Sequence, residues 1–539
     1  MNKIHRVIWN EITCTFVAVA EITKARGKRA SSRVGGTAAA SFGLRALALA
    51  LFCVGLGHAA PPAPTQLPTG AQVVAGQAAI SQNNAIMNIN QASNRAAIDW
   101  QTFNIGQQAQ VNFLQPSASS AILNRVLDAN PSQIFGNITS NGQVFLTNPS
   151  GVYFSPTSSA NVGALTATTH SIGNADFMAG KLRFTRDGAT GAVINEGKLS
   201  ADLNGYIALL APEVRNLGVF IAQMGTVALA AGEVFELQFD GNRLSNIRVE
   251  ASTIQALVDN GNAVEAPGGL IILSAQAANS LQGGIIRNSG RLEASGLVNK
   301  GGVIRLEASE GIENTGIISA AGDQAAPAGQ IEIAATQFTQ AAEGQLDVSG
   351  VEQGGSVRLK VDASLTVAGS VDASAQSGHG GTVEIAADGG DITLSDVVLD
   401  VSGAAAGGSV TIAAGDPSDV PSRPDMPDQA PQTVALLGGS QIRATSRAGQ
   451  GGEISLTGER VGLFDNALLD ASGATGGGSV LVGGDYHGGN PDLRNAQAAY
   501  VAADAVIRAD ATGRGDGGKV VVWADGYTRY HGQDRKSVV

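Results

Sequence analysis

The chain has 539 residues, of which 71 are glycine, 15% are charged and only 4% are aromatic. So few rings argue against a large aromatic globular core, and so few charges against a charge-driven disordered chain. The formal charge of −12 makes a surface that repels nucleic acid and anionic lipid, so neither is expected as a direct partner.

Residues 1–59 read as an extended export signal. A basic start (Lys3, Arg6) is followed by an apolar stretch over 12–20, a second basic block (Lys24, Arg26, Lys28, Arg29, Arg33) and a second apolar run over 46–57. That run is too short to span a bilayer, which takes about 20 apolar residues, and fits a secretory core of roughly 7–15. No stable transmembrane segment is therefore expected. Small residues at Gly57 and Ala59 suit a signal peptidase. A cut after Ala59 keeps Pro61 away from the position directly after the cut. Cys14 and Cys53 both lie in this leader, so the exported chain would hold together without disulfides. Without the leader's eight basic and two acidic residues, 26 basic and 44 acidic residues remain, a net of −18.

Residues 71–79 read as an alternating β segment, and a series of motifs follows. They are Asn88-Ile-Asn-Gln-Ala-Ser-Asn-Arg, Ile98-Asp-Trp-Gln-Thr-Phe-Asn-Ile-Gly, Val111-Asn-Phe-Leu-Gln-Pro-Ser, Leu123-Asn-Arg-Val, Asn141-Gly-Gln-Val-Phe-Leu-Thr-Asn-Pro-Ser-Gly-Val-Tyr-Phe and Val162-Gly-Ala-Leu-Thr-Ala-Thr-Thr. In this order, over about 72–239, they resemble the N-terminal secretion domain of filamentous haemagglutinin-like exoproteins, the large secreted partners of two-partner secretion in Gram-negative bacteria. The long leader agrees with that resemblance.

The resemblance implies an all-β fold, a right-handed parallel β-helix (a solenoid) with an N-terminal cap. It also implies a partner, an outer-membrane β-barrel transporter with periplasmic recognition domains. The family's Asn-Pro-Asn-Gly turn stands here as Asn148-Pro149-Ser150-Gly151, with serine at the third position. Pro149 suits the second position of a type I turn and Gly151 the fourth. These four residues are the candidates for transporter recognition, although turn chemistry of this kind also serves shape alone. Arg95, Trp100 and Asn104 are cap candidates, Trp100 as core and the other two as hydrogen-bonding groups.

From 193 onward the sequence takes up a coil rhythm of short apolar strands between Asn/Gly corners. Asn195, Asn216, Asn288 and Asn314 each closely precede a glycine, which suits stacked asparagine ladders. Residues 236–258 look less regular and read as a hairpin or an excursion from the coil.

Eight copies of one unit then follow. Glu293-Ala-Ser-Gly leads to Gly301-Gly-Val-Ile-Arg-Leu, and Asp347-Val-Ser-Gly leads to Gly354-Gly-Ser-Val-Arg-Leu. Start-to-start spacings are 26, 28, 25, 28, 43, 27 and 38 residues. The two long ones hold a proline-rich insertion at 416–432 and a polar one at 485–499. Insertions at a fixed point of a repeat belong to solenoid loops. Val-Arg-Leu and Val-Glu-Ile alternate with period two, the mark of half-buried strands. One unit cannot bury its apolar face alone, but stacked units can. The apolar spacing of three and four that an α-solenoid needs is absent.

Asp347, Asp372, Asp400 and Asp470 recur at equivalent points. They read as turn residues, because calcium-binding rolls need a tandem nonapeptide that this repeat lacks. The exported part has four histidines, His170, His379, His487 and His531, in no ligand-like spacing. Catalytic, metal and cofactor sites are therefore none, and an enzyme is not expected. Arg514-Gly515-Asp516 spells an integrin-type tripeptide in a glycine-rich corner, a short match with a high chance rate.

The organisation expected is a leader over 1–59, a secretion domain over 60–290, a β-helical repeat region over 291–530 and an unstructured tail over 531–539. The chain stops in mid-repeat without a polar cap, which predicts a truncated chain and a fraying last coil. The function expected is that of a secreted or surface-attached adhesin-like exoprotein that meets a host-cell receptor or carbohydrate. The alternatives are the front half of a contact-dependent toxin or haemolysin of the same secretion type, and a β-helix enzyme acting on polysaccharide.

Overall fold

The computed structural model describes residues 60–535 except 280, 298–299 and 416–431, together with the backbone of two leader strands. Those strands, His5–Asn10 and Thr15–Ala20, pair antiparallel within a compact unit over 1–59. The apolar run at 46–57, the cysteines, the cleavage position and most of the proline-rich insertion lie outside the described residues.

Residues 60–539 form the second compact unit. Its strands stack in parallel columns on three faces of a coil, a parallel β-helix. One coil shows the plan. Leu270–Ala275 lies on a first face, Gly284–Asn288 on a second and Arg291–Glu293 on a third. Each pairs in register with its counterpart one coil on, Val303–Ala308, Gly311–Asn314 and Ile317–Ser319. The stacking runs unbroken through residue 290. No helix among the described residues is long and apolar enough to cross a membrane.

The period-two alternation does what it implies. On the first face Ile271, Ile304, Ile331, Val357, Val383, Val410, Ile454 and Val480 stand in one inward column, each at most 1% exposed. At about 25 cal/mol per Å² of apolar area buried, such columns are the main force holding coil to coil. On the second face Asn195, Asn216, Asn260, Asn288 and Asn314 form a buried ladder. Each side-chain amide donates to the next residue's Oδ1 at 2.8–2.9 Å, and Asn314 donates to Gln340 at 3.1 Å. The ladder therefore includes Asn260, which lies next to the stretch that looked irregular in sequence.

The Gly-Gly pairs hold the corner between the third and first faces, and the cause is close approach. A Cβ on Gly380 would stand 1.8 Å from the Val401 carbonyl, and one on Gly381 2.1 Å from that of Gly355. Neighbouring coils thus leave no room for any side chain there.

The opposite corner, between the first and second faces, is where the chain leaves the coil. Residues 169–191, 232–255 and 483–497 all depart there. The stretch read as a hairpin or excursion is an antiparallel hairpin, Val234–Asp240 with Arg243–Glu250, and Arg183–Thr185 adds a third strand. The first coil's edge is covered by antiparallel strands, Gln72–Ala75 on Arg95–Trp100 and Ala78–Asn83 on Ile86–Gln91. At the other end the unstructured tail expected over 531–539 needs correction for 531–535, while 536–539 lie outside the described residues. Gln533–Arg535 form a strand in register with Val506–Arg508, because the previous coil offers a free edge to pair with.

Candidate functional site

On the first face, the outward column begins Ala97, Leu123, Phe145, Thr166, Ala208, Ala228, Ile272. These residues are almost all apolar, and every one is buried. They are covered by the two excursions, which build a second core outside the coil with Phe177, Phe184, Phe235, Leu244 and Ile247. Phe145 sits at its centre, edge-on to Phe177 at 5.3 Å and stacked on Phe184 at 6.2 Å.

The cover is tied down by arginines from the first coils. Arg95 donates to the Phe177 carbonyl at 3.1 Å and lies 5.4 Å over its ring. That pins the one-turn helix Asn174–Met178, which stops before Gly180 at φ +78°. Arg125 donates to the Ile172 carbonyl at 3.2 Å and to Asn174, and pairs with Asp99 at 3.3 Å. Arg125 entered the sequence analysis only within the Leu123-Asn-Arg-Val motif, with no role of its own. The signal for that role was a cation inside an apolar strand, where an unpaired charge would be costly.

His170 fastens the base of both excursions. It is fully buried, its Nε2 lies 3.1 Å from the Gly232 carbonyl, and its ring lies 4.5 Å from that of Phe235. Burial pushes its pKa down to about 4; the Gly232 carbonyl and Glu233 pull it up, and Arg186 pushes it down. Arg186 and Glu233 pair with each other at 2.9 Å.

The Asn148–Gly151 turn lies at the corner where chains leave the coil. The Gly151 amide donates to the Asn148 carbonyl at 2.9 Å, which closes the turn, and Gly151 has φ +123°, a value that favours glycine. Asn148 is fully buried. Its Oδ1 accepts from the Ser150 amide at 2.9 Å, and its Nδ2 donates to the Asn130 carbonyl and the Ser132 hydroxyl, both at 3.0 Å. Both of its side-chain donors and one oxygen lone pair are engaged inside the protein, so it shapes the turn. Ser150 donates to the Asp128 carbonyl at 3.2 Å. The turn therefore stacks on the preceding 127–131 loop, and the exposed residues there are Leu127, Ala129, Asn130, Pro131 and Pro149, mostly apolar.

Trp100 is core, with its indole N–H donated to Asn124 Oδ1 at 3.1 Å and an edge contact to Phe103 at 5.3 Å. Asn104 accepts from the Gln133 amide at 2.8 Å and so joins successive coils. The cap residues and the turn thus gather in the first coils. Arg514, Gly515 and Asp516 stand apart from them, exposed on a corner of a late coil.

The recurring aspartates cap turns. Asp347, Asp372, Asp400 and Asp470 accept from the amides of Ser349, Ser374, Ser402 and Ser472 at 2.8–3.0 Å. Among the described residues no group of three or more His, Cys, Asp or Glu side chains is placed to hold a metal ion.

Residues 65–320 match the family described as the TPS secretion domain, and residues 1–50 that described as the extended signal peptide of type V secretion systems. Two relatives are heme/hemopexin-binding proteins. One, from Haemophilus influenzae strain Rd, is 34% identical over 253 residues, 45% of this chain and 27% of that protein. The other, also from H. influenzae, is 32% identical over 278 residues, 48% of this chain and 29% of that protein. The chain thus matches less than a third of the length of these relatives. The crystal structure of the HMW1 secretion domain from H. influenzae superposes with a TM-score of 0.59 at 26% identity, covering 77% of this chain and 99% of that one.

Proposed function

This chain is a two-partner secretion exoprotein, exported by a Gram-negative bacterium to its surface or beyond, and on that premise we propose how its parts divide the work. The capped, covered coils within 60–290 are the module that a dedicated outer-membrane β-barrel transporter recognises through its periplasmic domains. The later coils are an adhesin-like stalk that carries binding surfaces away from the cell. The observation that carries this reading is the corner at Leu127, Pro131 and Pro149. It exposes apolar side chains on a backbone fixed by Asn148 and Ser150, and exposed apolar groups on a rigid frame are what a protein partner reads.

The fold also supplies a driving force for export. Antiparallel strands close the first coil's edge, so coils can add in one direction only. Each new coil buries its apolar column against the last, as in any nearest-neighbour solenoid. Folding outside the membrane then draws the remaining chain out. This role calls for no catalysis, and we read the chain as a non-enzyme.

The test is secretion into the medium with and without the cognate transporter. Wild type should depend on the transporter. Leu127→Glu, which alters an exposed side chain only, should weaken export, as should Asn148→Ala with Pro149→Ala. Export that ignores the transporter would sink the proposal.

A further inference from the structure

The chain is poor in aromatic residues, yet three side chains of this kind meet at the surface of its last coils. The loop after Ser479–Val482 turns back through Gly483 and Gly484, at φ +82° and +147°. It presents Tyr486 and His487, ring centroids 4.2 Å apart and edge to face. His487 lies 5.3 Å from Trp523, tilted by 41°, and Trp523 comes from the next coil. Tyr486 is 68% exposed.

The loop is held for this display. The Gly488 and Gly489 amides close it onto Asp485 and Tyr486 at 2.9 and 3.1 Å, and the Ala496 amide donates to the Gly483 carbonyl. Arg494 anchors its far end to the Ala414 carbonyl at 3.1 Å. His487 sits at φ +55°, ψ +24°, a conformation that costs a non-glycine residue free energy. Exposed rings held on a fixed loop are the kind of surface that binds something.

The polar surroundings say what. Asp485 pairs with Lys519 beside the rings, and Asp525 accepts the Trp523 indole N–H at 3.0 Å. Lys519 also lines a groove of about 1040 Å³ that follows the Gly-Gly corners from Gln353 to Lys519. At about 4.8 Å per coil its five steps span roughly 24 Å. Its walls offer hydroxyls and amides, among them Gln353, Thr382, Ser409, Gln450 and Ser479. The corner amides are already committed: Gly380 donates to Ala406, Gly407 to Gln450, Gly451 to Gly476 and Gly477 to Asp516, each at 3.0–3.1 Å. A peptide therefore finds no backbone edge to extend here. The acidic balance of the exported chain, with Glu453 and Asp516 in the groove itself, opposes an anionic polymer.

We infer that the groove and the Tyr486–His487–Trp523 platform, which stands across the first face from the groove's Lys519 end and is joined to it by the Asp485–Lys519 pair, form a binding site for a neutral, linear glycan. The apolar C–H face of a pyranose ring packs on Tyr486 and Trp523. Its hydroxyl rim meets the Asp485–Lys519 pair and Asp525, and further sugar units lie along the groove. The inference rests on the adhesin half of the reading above and gives it a ligand class.

The test uses the exported full-length protein and linear hexamers of β-linked glucose and of β-linked galactose. Trp100 is fully buried, so Trp523 emission reports the platform. At least one hexamer should change it saturably. Tyr486→Ala should weaken binding at least tenfold by calorimetry, Trp523→Phe should largely keep it, and Arg514→Ala should leave it unchanged. Absence of binding to both hexamers, or equal affinity in Tyr486→Ala, overturns the site. Host-cell adhesion is measured alongside. Adhesion without hexamer binding overturns the glycan site and leaves the adhesin reading standing. Hexamer binding without adhesion supports the site and removes that reading.

Discussion

The first face of the coil exists in two versions. Its inward column hardly changes along the molecule, but its outward column does. Up to Ile272 the outward residues are mostly apolar and lie under a second core, whereas from Arg305 onward they read Arg305, Glu332, Arg358, Glu384 and Thr411, polar and at least partly exposed, before the column ends with Ser455, Leu481 and Val521. Arg305 pairs with Glu332 at 3.0 Å and Arg358 with Glu384 at 2.9 Å. The change is complete within one coil. Inward residues therefore build the solenoid, and outward residues decide whether a stretch becomes a covered, individual body or a bare, repetitive stalk. The cover begins where the transporter is proposed to act, and the bare stretch begins where the stalk does.

The strongest way to break this comparison is to remove the centre of the second core. Phe145→Ala should cost about 3–5 kcal/mol by cavity formation, measured as a lower melting temperature and faster hydrogen exchange over 170–185. An effect below about 1 kcal/mol would mean that the cover does not depend on that core.

Acid should loosen the cover next. His170 has a folded pKa of about 4, below its ordinary value of 6.5. Between those values the unfolded state takes up the proton and the folded state does not. The stabilisation is thus complete above about pH 6.5 and falls as pH drops towards 4. It amounts to about 3 kcal/mol. Hydrogen exchange around Gly232 should speed up from pH 7 to pH 4.5 after correction for intrinsic rates. A flat response would contradict the buried, neutral histidine.

A smaller effect is expected from Asn260→Ala, about 2–3 kcal/mol. It leaves the Asn216 amide without its acceptor and the Asn288 oxygen without its donor inside the protein. The ladder runs from covered coils into bare ones, so hydrogen exchange should rise on both sides of residue 260. The smallest effect belongs to the stalk. Arg358→Ala removes an exposed ion pair and should change stability by less than about 1 kcal/mol. A loss as large as that of Phe145→Ala would erase the distinction between the two versions of the face.

Much of this was legible in the residues. Period-two strands, Gly-Gly corners and Asn-Gly corners are local signals, and each coil repeats them. The family resemblance followed from motifs such as Asn148–Gly151. The second core was not legible, because its parts come from strands between Ala97 and Ile272 and from two excursions with no shared pattern. Asn260 was missed because the irregular stretch before it hid the coil rhythm. The burial of Asn148 was hidden as well, since a turn motif reads the same whether its asparagine faces water or the neighbouring loop. Tyr486 and Trp523 flank His487 only because one loop folds back across a coil that the chain has yet to form.

The most direct test of the account is to export its two halves separately with the cognate transporter present. One chain would carry residues 1–320, the leader and the covered coils. The other would carry the leader, 1–59, joined to 321–539. The account predicts transporter-dependent release of the first and periplasmic retention of the second. Equal export of the second would contradict it, because recognition would then lie outside the covered coils.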